Sequence, residues 1–506
     1  MTRFTCIWCG LLLAAACDPA AASSVEYWTY SYRGIEVMTS ERPQSAKTIA
    51  HNLNRLDGAI RHVLDVPQKS DWEAATRVFV VPTATFARLR GKNDDTTSLF
   101  MSTPSGNTIL IDGTKDSGDA SYFNPYFGYT GTVLVSDYTY RYPRWFIYGL
   151  SELFAASKIS SSSVTIGAAS PSRVQQMLDG SLIPIRAVLA VQAGDPQLKN
   201  PDFANLYEAE SWLLVHLVVL EGKYRTNFFH YFALLDKGEE QEKAFAASFD
   251  VPFEDLDKLL RDTLRSNKIQ TVRVNIVNEE DSAEPTRLTE AQATGRLAQA
   301  ATQINPQGVD ALQLANEALR LDPKNQDGLA ALAQAQLRRS DYAAALEAAE
   351  RLCTFEPLAQ RSYSQCGTLF LMLSDAVRNK KGSLNIDGAT LSERSRQYYD
   401  KAITADPSDY VSWAGMAETL TVIGNPQLTN AFLPRASQAL SARLRDAGLA
   451  RALAALCAAS GDLRSAMNYA TMWQISALSS ASRDAADAYV SRLSTALERA
   501  DVKRTP

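Results

Sequence analysis

The sequence predicts two domains, an α+β domain followed by an all-α domain of helical repeats. Residues 23–277 mix strand-like and amphipathic helical segments, whereas residues 288–500 are rich in Ala and Leu and have a helical pattern almost throughout. The segment between them, residues 278–287, is charged, contains a proline and is expected to be a linker. A length of 506 residues also favours more than one hydrophobic core.

The N-terminal segment, residues 1–22, has the pattern of an export signal. Arg3 supplies a positive end, and the apolar run at 7–16 is too short to cross a bilayer as a mature helix. Two processing routes remain open. One is cleavage at the small residues around Ala22, and the other is lipidation of Cys17, the last residue of the lipobox-like LAAAC. Both routes predict a periplasmic or secreted protein, tethered to a membrane in the second case.

The charge and the cysteine content limit the functions that the sequence allows. The chain has 51 basic and 56 acidic side chains, a net charge of −5 and no long basic run, which argues against binding nucleic acid. No glycine-rich phosphate-binding motif is present, so no cofactor is expected. An oxidising compartment would permit a Cys353–Cys366 disulfide, and the alternative is that these cysteines are buried small apolar side chains.

The elements of the first domain follow from hydrophobic periodicity. Strands are predicted at 28–40, 76–82, 106–112 and 271–277, and helices at 46–64, at 130–157 with a break at Pro143, and at 207–222. The aromatic segment at 122–129 is expected either to line a cleft or to form a loop packed over the following helix.

Repeats are indicated in the second domain by segments that end alike, ALRLDP at Pro323, CTFEP at Pro357 and AITADP at Pro407. The first two prolines are 34 residues apart and the next two are 50 apart, with the surplus in the polar loop at 379–390. Small residues precede each proline where two helices must approach closely.

On these features, residues 288–475 resemble the tetratricopeptide (TPR) family, with departures at Ala349, at Leu352 and in the longer spacing. The resemblance implies stacked helix pairs around a groove that binds another protein or a peptide.

The segment SDYTYRYPRWFIYGLSELF, residues 136–154, has the spacing of a zinc-peptidase helix and the turn that follows it. In the motif H-E-x-x-H, two histidines on one helical face bind zinc and the glutamate polarises the bound water. Pro143, Trp145, Gly149 and Glu152 match a second motif, P-x-W-x-x-E-G-x-A-E-Y-F, and the segment resembles the gluzincin group of peptidases. The resemblance implies a zincin-like fold for the first domain.

The residues that would bind the metal in such a peptidase are absent. Ser136 and Tyr140 stand where the resemblance expects histidine, Asp137 replaces the glutamate, and Tyr148 stands at the position of the third ligand. Hydroxyl and neutral phenol groups are weak zinc ligands near pH 7. The sequence therefore predicts no catalytic residue and no bound metal. Tyr140, Tyr148 and Ser136 are expected to face one another, with Asp137 and Glu152 at the edge of a cleft.

These features predict a non-catalytic pseudo-metallopeptidase that acts as a periplasmic interaction or scaffold protein. The alternative is a hydrolase with a rearranged site, built from Ser136 or from Asp137, Glu152 and His216. Because His216 lies on an apolar helix, it is expected to be a hydrogen-bonded core residue unless it joins such a site. Tyr126 and Trp145 are further candidates for residues lining a cleft.

Overall fold

The computed structural model describes residues 25–65, 75–91, 96–103, 106–114, 122–136, 142–168, 171–179, 182–191, 195–266, 269–276, 279, 281–306, 310–355, 358, 360–379, 384–442, 446–476 and 480–502. The predicted export signal at 1–22, with Cys17, lies outside these residues. Within them, every helix is too short or too polar to cross a membrane.

Nine strands form two sheets in the described part of the chain. They are β1 Trp28–Tyr32, β2 Ile35–Thr39, β3 Thr76–Val81, β4 Ser98–Thr103, β5 Gly106–Asp112, β6 Lys158–Ile159, β7 Ser163–Ile166, β8 Val272–Asn275 and β9 Thr286–Arg287. The main sheet has the order β4-β5-β3-β2-β1-β9, in which β2, β3 and β5 are parallel and the remaining pairs are antiparallel. The second sheet, β6-β7-β8, is antiparallel.

The predicted strands are confirmed as β1 and β2, β3, β5 and β8. Thr286–Arg287, inside the segment expected to be a linker, forms β9 and pairs with Trp28 and Thr29 of β1. The chain therefore returns to the main sheet just before the repeats begin.

The helices of the first domain are α1 Pro43–Leu64, α2 Thr83–Arg90, α3 Phe123–Ser136, α4 Arg144–Ala155, α5 Pro171–Asp179, α6 Ile185–Ala190, α7 Pro201–Val215, α8 Arg225–Asp236, α9 Gln241–Ser248 and α10 Phe253–Ser266. A π-helical turn, His216–Leu220, continues α7. The prediction of a loop at 122–129 is wrong, because these residues form the first half of α3. There Gly128 lies so close to Phe100 of β4 that a Cβ atom would stand 2.2 Å from its ring.

The main sheet is buried on both faces, and alternate residues of β3 show why. Val78 and Val80 point into the core formed with α1, α3 and α7. Phe79 and Val81 point the opposite way, into a core that also contains residues of the first two repeat helices. A strand covered on both faces reads as a continuous apolar run, which is the pattern of TRVFVV at 76–81.

The second domain is an array of antiparallel helix pairs, which confirms the predicted helical repeats. Its helices are α11 Glu290–Ile304, α12 Asp310–Leu321, α13 Gln326–Arg338, α14 Tyr342–Cys353, α15 Gln360–Arg378, α16 Gly388–Ala405, α17 Tyr410–Ile423, α18 Pro426–Ala442, α19 Ala447–Ala459, α20 Leu463–Ser476 and α21 Ser480–Val502. From α11 to α19, the odd-numbered helices contact one another in succession and form one layer, which we call the odd layer. The structure also contains the Cys353–Cys366 disulfide, which joins α14 to α15.

Candidate functional site

The described part of the predicted peptidase-like site lies on α3 and α4, which pack against each other. α3 ends at Ser136, whose side chain lies outside the described residues, as do Asp137 and Tyr140. The predicted meeting of Ser136, Tyr140 and Tyr148 therefore stays a prediction. Pro143 has an extended backbone and stands at the N-cap of α4.

α4 is held close to α7 by the absence of a side chain at one position. A Cβ atom at Gly149 would stand 2.2 Å from the backbone oxygen of Ser211 on α7, so only glycine fits without moving one helix. Trp145, one turn earlier, is fully buried against Phe228 and Phe232, with ring centroids 5.3 and 5.9 Å away. Trp145 is therefore a core residue and does not line an open cleft.

Tyr148, at the predicted position of the third zinc ligand, makes its described contacts with its own helix and neighbouring rings. Arg144 donates from Nη2 to Tyr148 Oη at 2.8 Å, and its guanidinium carbon lies 4.7 Å from the Tyr148 ring centroid. Phe127 of α3 meets the ring edge-on at 5.7 Å. Tyr126, the other candidate for a cleft, is buried within the core beside Tyr122. A phenol that accepts a hydrogen bond from a guanidinium and packs between rings serves to hold α3 and α4 together.

Glu152 is buried in a three-residue ion network and does not lie at the edge of a cleft. Arg173 on α5 donates from Nη2 to Glu152 Oε1 at 2.6 Å and to Glu208 Oε2 at 2.8 Å. Burial raises the pKa of Glu152 above its usual range, and Arg173 opposes that shift. Burial disfavours the charge on Arg173, but the two carboxylates raise its pKa. A carboxylate held this way joins α4, α5 and α7 and is not available as a general base.

His216 is a hydrogen-bonded core residue, as predicted for a lone histidine on an apolar helix. It is fully buried, its Nε2 lies 2.7 Å from the backbone oxygen of Gln270, and its Nδ1 lies 3.6 Å from Glu221. Burial lowers the pKa of His216, so the neutral ring donates from Nε2 to the carbonyl. Eight residues of α7, about 12 Å of helix, separate His216 from Glu208 beside Glu152. Within the described residues, no group of three or more His, Cys, Asp or Glu side chains could hold a metal ion.

A polar network joins the first helices of the odd layer, α11, α13 and α15, to β2 of the main sheet. The sequence alone did not predict it. Asp327 accepts from Arg361 Nη2 at 2.5 Å and from Gln299 Nε2 at 3.0 Å. Arg296 Nη1 lies 2.7 Å from Glu36 Oε1 on β2. Only a cavity of about 10 Å³ remains among these side chains, room for about one water molecule. The network thus holds the first repeats to the sheet and offers no open site for a ligand.

The odd layer beyond this junction carries an exposed methionine. Met372 on α15 is 47% exposed and shares one helical face with Arg361, three turns earlier. On the next helices of the layer, Arg451 of α19 pairs with Glu418 of α17. Met372 was not identified from sequence, because a single apolar residue on a helix does not show whether it is buried.

Comparisons with known proteins give distant structural likenesses to TPR proteins. No family model matches this chain, and no curated protein matches it. Among solved structures, a thermophilic TPR protein from Thermus thermophilus is similar at 20% identity with a TM-score of 0.31, over 40% of this chain and 98% of that one. The TPR domain of P58(IPK) is similar at 10% identity with a TM-score of 0.18, over 61% of this chain and 85% of that one.

Proposed function

We propose that this protein is a non-catalytic scaffold whose helical array binds another protein or a peptide through the odd layer. The observation that carries the proposal is the exposed Met372 on that layer. Methionine is flexible and polarizable, so it adapts to differently shaped partners. The same layer also carries charged side chains, Arg361 on α15 and the Arg451–Glu418 pair between α19 and α17, and polar groups of this kind are typical of the rim of a protein interface.

The proposal describes the first domain as a gluzincin-like domain without catalytic zinc. The order of its elements supports this, since an early strand pair and long α1 precede the short strands, then α3 and α4, and then the apolar α7. The contacts of Tyr148 with Arg144 and of Glu152 with Arg173 support a structural use of α4. Hydroxyl and phenol groups at 136, 140 and 148 are poor zinc ligands, which supports the absence of catalysis.

The proposal places the protein in the periplasm or outside the cell. The Cys353–Cys366 disulfide supports an oxidising compartment, because cytosolic disulfides are rare. The export pattern at 1–22 agrees with this and leaves lipidation at Cys17 open. Mass spectrometry of the mature N-terminus tests this part, since an acylated cysteine, a new N-terminus near Ala22 and an unprocessed Met1 have different masses.

Partner binding is tested with two exposed methionines on opposite layers. Met372 lies on the odd layer, and Met472, 38% exposed, lies on α20 of the other layer. The full chain is used as bait in extract of the native host, and proteins captured in proportion to bait are identified. We expect Met372→Glu to reduce capture of the specific partner by about tenfold or more, and Met472→Glu to leave it unchanged. Equal capture by both variants and the parent chain would remove the odd layer as the binding face.

The absence of catalysis is tested by metal analysis and a peptide library. The full chain, purified without chelator, is expected to contain zinc well below one equivalent and to cleave no peptide. Stoichiometric zinc that a chelator removes, with loss of peptide cleavage, would instead support the alternative of a hydrolase with a rearranged site.

A further inference from the structure

A separate groove lies along α1, on the far side of the main sheet from the repeats. It has a volume of about 850 Å³ and is walled by one face of α1, by the turn between β6 and β7, and by Glu279, Asp281 and Ser282. Lys47, His51 and Arg55 succeed one another at four-residue spacing on that face of α1, so all three line the same wall. The opposite wall contributes Ser161 together with the carboxylates Glu279 and Asp281.

Both carboxylates of the groove are already bound by other protein groups. Asp281 accepts the hydroxyl of Tyr30 at 2.5 Å and the backbone N–H of Ala283 at 2.8 Å. Glu279 pairs with Arg33 at 2.6 Å. The hydrogen bond from Tyr30 holds the pKa of Asp281 below its usual range, so the carboxylate is ionised and satisfied. Both acids therefore have described partners other than Arg55.

Two of the three basic side chains are also engaged. Lys47 Nζ donates to the backbone oxygens of Asp281 and Ala283 at 3.0 and 2.9 Å, and it lies 3.3 Å from Glu284 Oε1. His51 Nε2 lies 3.1 Å from Tyr30 Oη, and because the Tyr30 proton goes to Asp281, the histidine nitrogen is the donor. The His51 ring also packs on Tyr32, with centroids 4.2 Å apart.

Arg55 is different, because its charge has no acidic partner among the described residues. Its described side-chain hydrogen bond runs from Nη1 to the amide oxygen of Asn52 at 3.0 Å. Its Nε is buried and has no acceptor within the described part of the chain. A guanidinium offers paired N–H groups in one plane, which match the two oxygens of a carboxylate, phosphate or sulfate. The groove thus combines a planar cation, which has no acidic partner in the described part of the chain, with an opening to solvent.

We propose that this groove binds a small ligand through an oxyanion, with Arg55 as its charged partner and the Ser161 hydroxyl on the opposite wall as a second donor. Lys47 and His51 position the site, since Lys47 binds the backbone oxygens of Asp281 and Ala283, and His51 binds Tyr30, which in turn binds Asp281. The ligand's anionic group is a carboxylate, phosphate or sulfate, which share this chemistry. The site is independent of the odd layer and of any partner bound there.

Calorimetric titration of the full chain with phosphate, sulfate and citrate tests the site, at constant ionic strength and with chloride as the reference salt. We expect saturable binding of at least one of these oxyanions, and the pattern among the three distinguishes carboxylate from phosphate or sulfate. Arg55→Gln should weaken that binding by about tenfold or more, because it removes the charge and the planar donor pair. Arg394→Gln, which removes an arginine paired with Glu350 on the repeats, should bind like the parent chain.

Arg55→Lys keeps the charge without the planar donors and is expected to bind with intermediate affinity, which guards against a misfolded Arg55→Gln protein. The proposal is overturned if none of the three oxyanions gives a saturable signal at concentrations up to about 10 mM. It is equally overturned if Arg394→Gln weakens binding as much as folded Arg55→Gln or Arg55→Lys does.

Discussion

Glu210 gives the sharpest test of the energetics of the first domain. It lies on α7, is 1% exposed, and accepts the backbone N–H of Ile183 at 2.7 Å through Oε1. Its Oε2 is buried without a partner among the described residues. Burial raises the pKa of Glu210 from 4.5 to about 8, and the neighbouring Asp257 adds to the shift. The folded protein therefore keeps this carboxyl protonated at neutral pH.

This proton makes stability depend on pH in a definite direction. Below pH 4.5 the carboxyl is protonated in the folded and the unfolded chain, so it has no effect. Between pH 4.5 and about 8 the unfolded chain releases the proton while the folded chain keeps it, so the free energy of unfolding falls as pH rises. In this range the free energy of unfolding falls by about 1.4 kcal/mol for each pH unit, a total of about 3 kcal/mol at pH 7.

Glu210→Gln removes this cost and keeps an oxygen for the Ile183 N–H. We expect the variant to match the parent chain near pH 4.5 and to be more stable by up to about 3 kcal/mol at pH 7. Urea unfolding followed by tryptophan fluorescence measures this, because Trp212 lies two residues further along the buried part of α7. A difference between the two proteins that stays constant from pH 4.5 to 8 would refute the buried, protonated state of Glu210.

Three other contacts predict losses of stability. Gly149→Ala forces a Cβ atom against α7 and should lower the free energy of unfolding by about 2 kcal/mol, measured in urea. Arg173→Met leaves Glu152 buried without its counter-charge and should cost about 3–5 kcal/mol at pH 7, again in urea. Changing both Cys353 and Cys366 to Ser removes a disulfide that joins residues 13 apart in sequence. It should lower the free energy of unfolding by about 3 kcal/mol, measured in urea on the full chain without reductant.

Each of these changes has a matched control. Gly131→Ala on α3 places a Cβ atom at an ordinary 3.6 Å from Ser151 Oγ, so it should be neutral or slightly stabilising, and a loss equal to that at Gly149 would contradict the packing argument. Adding Glu152→Leu to Arg173→Met should restore much of the lost stability, and a double variant as unstable as the single one would rule out charge burial as the cause. With reductant present, the parent chain should match the double Ser variant.

Local sequence patterns were enough to predict some of the regular elements of the first domain. Strand-forming Tyr, Ile and Val residues indicated the β1–β2 segment, and three-to-four spacing identified α1. The segment 122–129 shows where local preference fails, because its aromatic residues and glycine are weak helix formers and are helical through packing of Gly128 over Phe100. β4, which supplies Phe100, mixes polar and apolar residues without a clear period and was missed.

The candidate sites were less predictable than the fold, because their contacts join residues far apart in sequence. Glu152 meets Arg173 of a different helix, and no spacing rule identifies that pair. The burial of His216 was predictable, since a lone histidine between apolar residues on a helix needs only one backbone carbonyl to be satisfied, here that of Gln270. Arg55 was not identified, because a missing partner is visible only once the surrounding segments are in place.

The second face of the main sheet is covered by α11 and α12, and this limits where the chain can be truncated. Leu297, Ala298 and Ala301 of α11 pack on Phe79 and Leu110 of the sheet. A protein fragment that starts at residue 288 would expose the apolar face of α11 to water and should aggregate on expression. Chimaeras that exchange repeats with other proteins should take the main sheet and the first helix pair, α11 and α12, from the same parent protein. The fusion point should lie further along the array.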